Sequence, residues 1–133
     1  MICPACKGEM VIIEELGIEL DYCPACKGIW FDKGEVELLL EKTVGDRLFD
    51  NLEKKSKDAK GVEKERRLRC PRCSRKMKKL LVEYEGDKVV IDSCPVGDGL
   101  WFDKGEAFRV MRGLAQGRDV DLGRLSSFLS IFG

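Results

Sequence analysis

The sequence predicts a small α+β, metal-stabilised fold built twice, each unit a β-hairpin with cysteine knuckles followed by an α-helix. Three observations predict it. Residues 21–35 return at 92–106, with Trp-Phe-Asp-Lys-Gly-Glu identical from Trp30 and from Trp101, and such an internal repeat sets the architecture before any other reading. Six of the seven cysteines fall in Cys-x-x-Cys pairs, the spacing of metal ligands. Between the pairs lie short alternating strands, and after each Trp-Phe comes a helix-start signal.

At 133 residues the chain divides into a first ribbon at 1–41, a helical, charged connection at 42–67, a second ribbon with its helix at 68–117, and an apolar C-terminal helix at 118–133. Units this small rarely fold on burial alone and need a metal, a disulfide or a partner. No apolar run is long enough to span a bilayer and no signal-peptide pattern opens the chain. The expected location is therefore cytoplasmic, with reduced thiols and no membrane partner. A disulfide framework is the competing reading, and an odd cysteine count weakens it.

In the first unit, Cys3-Pro4-Ala5-Cys6-Lys7-Gly8 is a knuckle: proline fixes one dihedral and glycine is expected to take the positive φ of the turn. Residues 10–14 and 18–22 read as strands joined at Glu15-Leu16-Gly17. Ile18, Leu20 and Tyr22 alternate with Glu19 and Asp21, as for one buried face. The hairpin leads to the second knuckle, Cys23-Pro24-Ala25-Cys26-Lys27-Gly28. Ile29-Trp30-Phe31 is a third strand, and Trp30 is expected to pack as core beside the knuckles. Asp32 and Glu35 then form a capping box, Asp32 capping free backbone N–H groups. Val36, Leu40, Val44, Leu48 and Leu52 give a helical stripe over 36–56, with more apolar surface than a small ribbon can cover. Residues 53–69 are highly charged, a solvated helix extension or a linker.

The second unit repeats the plan: knuckle Cys70-Pro71-Arg72-Cys73, strands at 77–84 and 88–93 joined near Glu85-Gly86-Asp87, and a helix start at Asp103-Lys104-Gly105-Glu106. Ala107, Phe108, Val110, Met111, Leu114 and Ala115 follow as a helical face that Gly117 ends.

Cys3, Cys6, Cys23 and Cys26, with sixteen residues between the pairs, match a structural zinc site: four thiolates in a tetrahedron with no position left for water. Four charges of −1 around +2 leave −2. Cys70, Cys73 and Cys94 align with the first three ligands, but Gly97 stands where Cys26 stood. Three readings follow: Asp98 supplies a carboxylate ligand, the copy is metal-free, or three thiolates leave an open position. The chain has no histidine, so the commonest general base is missing.

These residues (Cys-Pro-Ala-Cys at 3–6, the run at 23–35, and their second copies at 70–73 and 94–106) resemble the zinc-ribbon family named for transcription factor IIB. The resemblance covers about 1–40 and 68–112. It implies a ribbon fold, bound Zn2+ and a setting related to transcription, and it carries Cys3, Cys6, Cys23, Cys26, Cys70, Cys73 and Cys94 over as ligands.

Three function classes follow. The first is a non-catalytic, zinc-binding interaction module, not an enzyme, without a small-molecule substrate, meeting a protein partner or forming a homodimer through its apolar helices. The second is nucleic-acid binding through Arg66, Arg67, Arg69, Arg72, Arg75, Lys76, Lys78 and Lys79, eight cations without an acid around the Cys70 knuckle that are suited to track phosphates. No aromatic residue interleaves them for stacking. The third is a rubredoxin-like iron electron carrier, since paired knuckles also hold iron.

Overall fold

The computed structural model describes residues 1–15, 17–35, 38, 56–58, 67–84, 87–107 and 109–110. The helical stripe from Val36 to Leu52, the C-terminal segment 118–133, Gly117 and Arg66 lie outside the described residues.

Each knuckle pair is joined by a hairpin. In the first copy β1 (Val11–Glu15) pairs antiparallel with β2 (Ile18–Tyr22), Glu15 opposite Ile18. Gly17 lies in the connection at φ 73°, a conformation glycine adopts without penalty. In the second copy β5 (Lys78–Tyr84) pairs with β6 (Asp87–Ser93). Short third strands, β3 (Ile29–Asp32) and β7 (Gly99–Phe102), follow the second knuckle of each copy.

The two copies are not separate ribbons, each followed by a helix. They form one seven-stranded antiparallel sheet, in the order β1-β2-β3-β7-β6-β5, with β4 (Ser56–Asp58) beyond β5. The join is β3 against β7, with Ile29 opposite Phe102, Trp30 opposite Trp101, Phe31 opposite Leu100 and Asp32 opposite Gly99. Helical residues, among those described, are confined to 33–35, 38, 106–107 and 109–110. The physical reason is the edge each copy would otherwise expose. A short third strand standing alone presents unpaired N–H and C=O groups, and here each copy's third strand satisfies the other's.

A third segment extends the sheet. Ser56–Asp58, within the stretch read as helix extension or linker, is strand β4. It pairs with β5, Ser56 opposite Val82 and Asp58 opposite Leu80. The outer edge of β5 thus gains backbone partners from the connecting segment.

The pairing register lines up one row across the middle of the sheet: Ile12, Asp21, Trp30, Trp101, Asp92, Lys79. The row is symmetric about its centre, because each residue in one half has its repeat counterpart in the other. Trp30, Trp101, Met10, Met77, Leu68 and the buried cysteines form one core on this side. On the opposite face Ile18, Leu20, Phe31, Ile91 and Phe102 are buried; Ala107 and Val110, at the second helical start, are buried as well. Phe31 and Phe102 meet edge to face at 5.3 Å, a favoured aromatic geometry.

Candidate metal centre

Each knuckle is a tight backbone turn. Cys3 N–H donates to Gly8 O at 2.8 Å and Lys7 N–H to Cys3 O at 3.0 Å. Cys23 N–H to Gly28 O at 3.0 Å and Lys27 N–H to Cys23 O at 2.8 Å repeat this, as do Cys70 to Arg75 and Ser74 to Cys70, both at 2.8 Å. The positive φ of these turns falls on Lys7 (67°), Lys27 (67°) and Ser74 (64°), and not on the glycines that follow Lys7 and Lys27, as the sequence reading expected. Gly28 is required for space instead: a Cβ there would lie 2.2 Å from Cζ2 of Trp101.

The first hairpin carries its two knuckles together, and the Cys3, Cys6, Cys23 and Cys26 sulfurs lie within 4.8 Å of one another. Cys3 Sγ is 3.6 Å from Cys26 Sγ, and Cys6 Sγ is 3.4 Å from Cys23 Sγ. Ligands about 2.3 Å from a tetrahedral zinc stand roughly 3.8 Å apart, whereas a disulfide needs about 2.05 Å. All seven cysteines are free. Backbone N–H groups of Cys6 and Cys26 point at the sulfurs of Cys3 and Cys23, at 3.4 and 3.5 Å.

The electrostatics of this cluster call for a cation. Burial pushes the Cys3 and Cys26 thiols up, and for Cys26 the neighbouring sulfurs add to it. At Cys23 burial also works upward, but the Cys26 N–H and the Cys6 and Cys26 thiols outweigh it and bring the group to about 7. Cys23 forms a thiolate readily; Cys3 and Cys26, held up by burial, follow when a metal's charge is present.

The second centre gathers Cys70, Cys73, Cys94 and Asp98, again with ligand atoms within 4.8 Å of one another. Cys73 Sγ is 3.7 Å from Cys94 Sγ, and Cys70 Sγ is 3.6 Å from Asp98 Oδ2. The turn that brings Asp98 in differs from its counterpart. Positive φ moves one residue earlier, from Lys27 in the first copy to Gly97 at 87°. Gly97 N–H now closes the turn on Cys94 O at 3.1 Å, and the outer bond from Cys94 N–H to Gly99 O is kept at 3.1 Å. A carboxylate one position beyond the lost cysteine thereby meets the three sulfurs. Burial drives the Cys70 thiol up to about 12 against the pull of the Cys73 and Arg72 N–H groups. Thiolate and carboxylate donors in sets of four suit Zn2+.

The segment after each tryptophan, identical in the two copies, is a cross-brace. Trp30 Nε1 donates to Asp32 Oδ1 and Trp101 Nε1 to Asp103 Oδ1, both at 2.9 Å. Asp32 N–H donates to Glu35, and Asp103 N–H to Glu106, each at 2.9 Å. This is the Glu half of the capping box. The Asp32 carboxylate, expected to cap backbone N–H groups, instead receives the Trp30 indole and the Arg72 fork, Nε to Oδ1 at 2.7 Å and Nη2 to Oδ2 at 2.6 Å. Lys33 N–H of the first copy donates to Asp98 O of the second at 3.1 Å.

The basic residues around the second knuckle divide. Arg72 is held by Asp32, and Lys79 forms an ion pair with the fully buried Asp92. Arg69 Nη1 donates to Ser74 O at 2.9 Å. Arg67, Arg69, Arg75, Lys76 and Lys78 are exposed. Sequence reasoning missed Asp21 and Asp92 as buried acids, 8% and 0% exposed. The identity of Asp21 and Asp92 in the two copies was the available signal.

No curated protein and no solved structure matches the chain. Residues 2–42 and 69–113, one segment on each knuckle-hairpin copy, match the family described as transcription factor zinc-finger. With two four-ligand centres on paired ribbons, and the match spanning more than half its length, the chain belongs to the transcription factor IIB-type zinc-ribbon family.

Proposed function

We propose that this chain is a non-catalytic, zinc-stapled double ribbon that presents a surface to another macromolecule, in a transcription-related setting within a reducing compartment such as the cytoplasm. One observation carries the reading: each centre draws four donors from the chain itself, which leaves a tetrahedral zinc no position for water or substrate. The metal then serves folding, and function falls to the surface. The proposed partner is a protein or a second copy, met through the apolar stripe that spacing places from Val36 to Leu52.

A second reading is favoured by the five exposed cations Arg67, Arg69, Arg75, Lys76 and Lys78, which would track nucleic-acid phosphates. Elemental analysis of the full-length protein, solution mass by light scattering, and gel shifts with DNA and RNA at low salt test both. Bound zinc without a shift supports the protein-directed module. A salt-sensitive shift abolished by Arg75→Glu with Lys76→Glu selects nucleic acid. Bound iron with reversible redox colour replaces both with an electron carrier.

A further inference from the structure

The two centres are built from different donors, and the difference has a chemical consequence. We propose that the second centre is a three-thiolate, one-carboxylate site for a borderline divalent cation such as Zn2+, binding more weakly than the four-thiolate centre and filling after it. Metal supply then decides whether one copy or both are stapled. The inference rests on the zinc-ribbon reading and deepens it.

The ligand atoms of Cys70, Cys73, Cys94 and Asp98 lie within 4.8 Å of one another, as do those of Cys3, Cys6, Cys23 and Cys26, so both sets can close on one ion. Net charge around a divalent ion is the same in each. Softness is not: a carboxylate oxygen is a harder donor than thiolate, and exchanging one for the other lowers the preference for thiophilic metals.

Asp98 is also placed by the chain rather than by chance. Gly97 at φ 87° tightens the turn, and Lys33 N–H fixes the Asp98 carbonyl. The adjoining Gly99 lies against Trp30, where a Cβ would come within 2.7 Å of the indole. Two of these three supports, Lys33 and Trp30, belong to the first copy, beyond the first centre's last cysteine. An ordered first ribbon thus helps shape the second centre, as Trp101 on Gly28 does for the first in return, so the order of filling follows from the donors: the softer four-thiolate set fills first.

Cobalt is the probe. Full-length reduced apoprotein is titrated with Co2+ while thiolate-to-cobalt absorption is followed, a band whose intensity per ion rises with the number of thiolates. The expected course is two resolved steps, the first with the stronger band per ion and the second with the weaker. Asp98→Ala should lose the second step and keep the first. Asp98→Cys should give two steps of equal intensity per ion, which separates ligand loss from failure of the second copy to fold. Wild-type steps identical in spectrum and affinity would overturn the inference, as would Asp98→Ala retaining the second step at full affinity. Failure to bind any cobalt would overturn the zinc reading and this inference with it.

Discussion

Trp30 and Trp101 stand directly opposite each other where the two copies join, and each indole occupies the space left by a knuckle glycine of the other copy. Trp101 lies on Gly28, and Trp30 lies on Gly99. The repeat thus acts as an internal pair, each half completing the core of its twin. Both indoles are fully buried and share a core with cysteines of both centres.

Gly28→Ala and Gly99→Ala should each destabilise the whole sheet, because the added methyl meets groups that cannot move aside. At Gly28 the obstacle is a ring; at Gly99 it is the Phe31 carbonyl at 2.2 Å as well. Overpacking of this kind costs about 1–3 kcal/mol, with Gly99→Ala the more severe. Denaturant midpoints of the zinc-loaded protein measure it.

Removing zinc should expose both indoles. Structural zinc contributes apparent folding free energies of about 10–16 kcal/mol in small fingers, more than a thin core supplies. Excess chelator should therefore shift tryptophan emission to the red and abolish the sheet signal in circular dichroism. Restoring zinc under reducing conditions should reverse both.

Lys79→Ala should lower the denaturant midpoint, since it removes a charged partner from Asp92, which has no exposed surface. The first copy offers the converse experiment. Ile12 holds the position of Lys79, opposite Asp21 as Lys79 is opposite Asp92. Burial, with the Asp32 charge adding to it, holds the Asp21 carboxyl above its usual range. Ile12→Lys, at an exposed position, should draw that pKa back down and raise stability by at most about 1 kcal/mol, read from denaturation and from the carboxyl's NMR titration.

Glu35 sets a pH slope. Burial raises its carboxyl to about 7, reinforced by Asp32 and Asp21 and opposed by the Asp32 N–H and Arg72. An acid whose folded pKa exceeds its unfolded value binds more protons folded than unfolded. Its contribution is thus full below the unfolded value of about 4.3 and is lost as pH rises through about 7. Between pH 6 and 8, wild type should lose stability relative to Glu35→Gln, and parallel profiles would contradict this. The window lies above the acid range where thiolate ligands release metal.

Much of this protein was legible as sequence because the relevant physics is local. Cysteines two apart make knuckles, alternating Ile18, Leu20 and Tyr22 make a strand, and an identical Trp-Phe-Asp-Lys-Gly-Glu run announces a repeat. Asp98 was in view as a donor from its nearness to the missing cysteine. Tertiary structure alone decided that β3 meets β7, so that two ribbons become one sheet. It alone decided that Ser56–Asp58 extends that sheet, that Arg72 clasps Asp32, and that Asp21 and Asp92 lie buried. These contacts join residues about 25 to 70 positions apart or turn on which face a neighbouring strand covers. No short-range period encodes such pairings; the need to satisfy exposed strand edges and bury two indoles selects them once the metal-bound turns hold the chain in place.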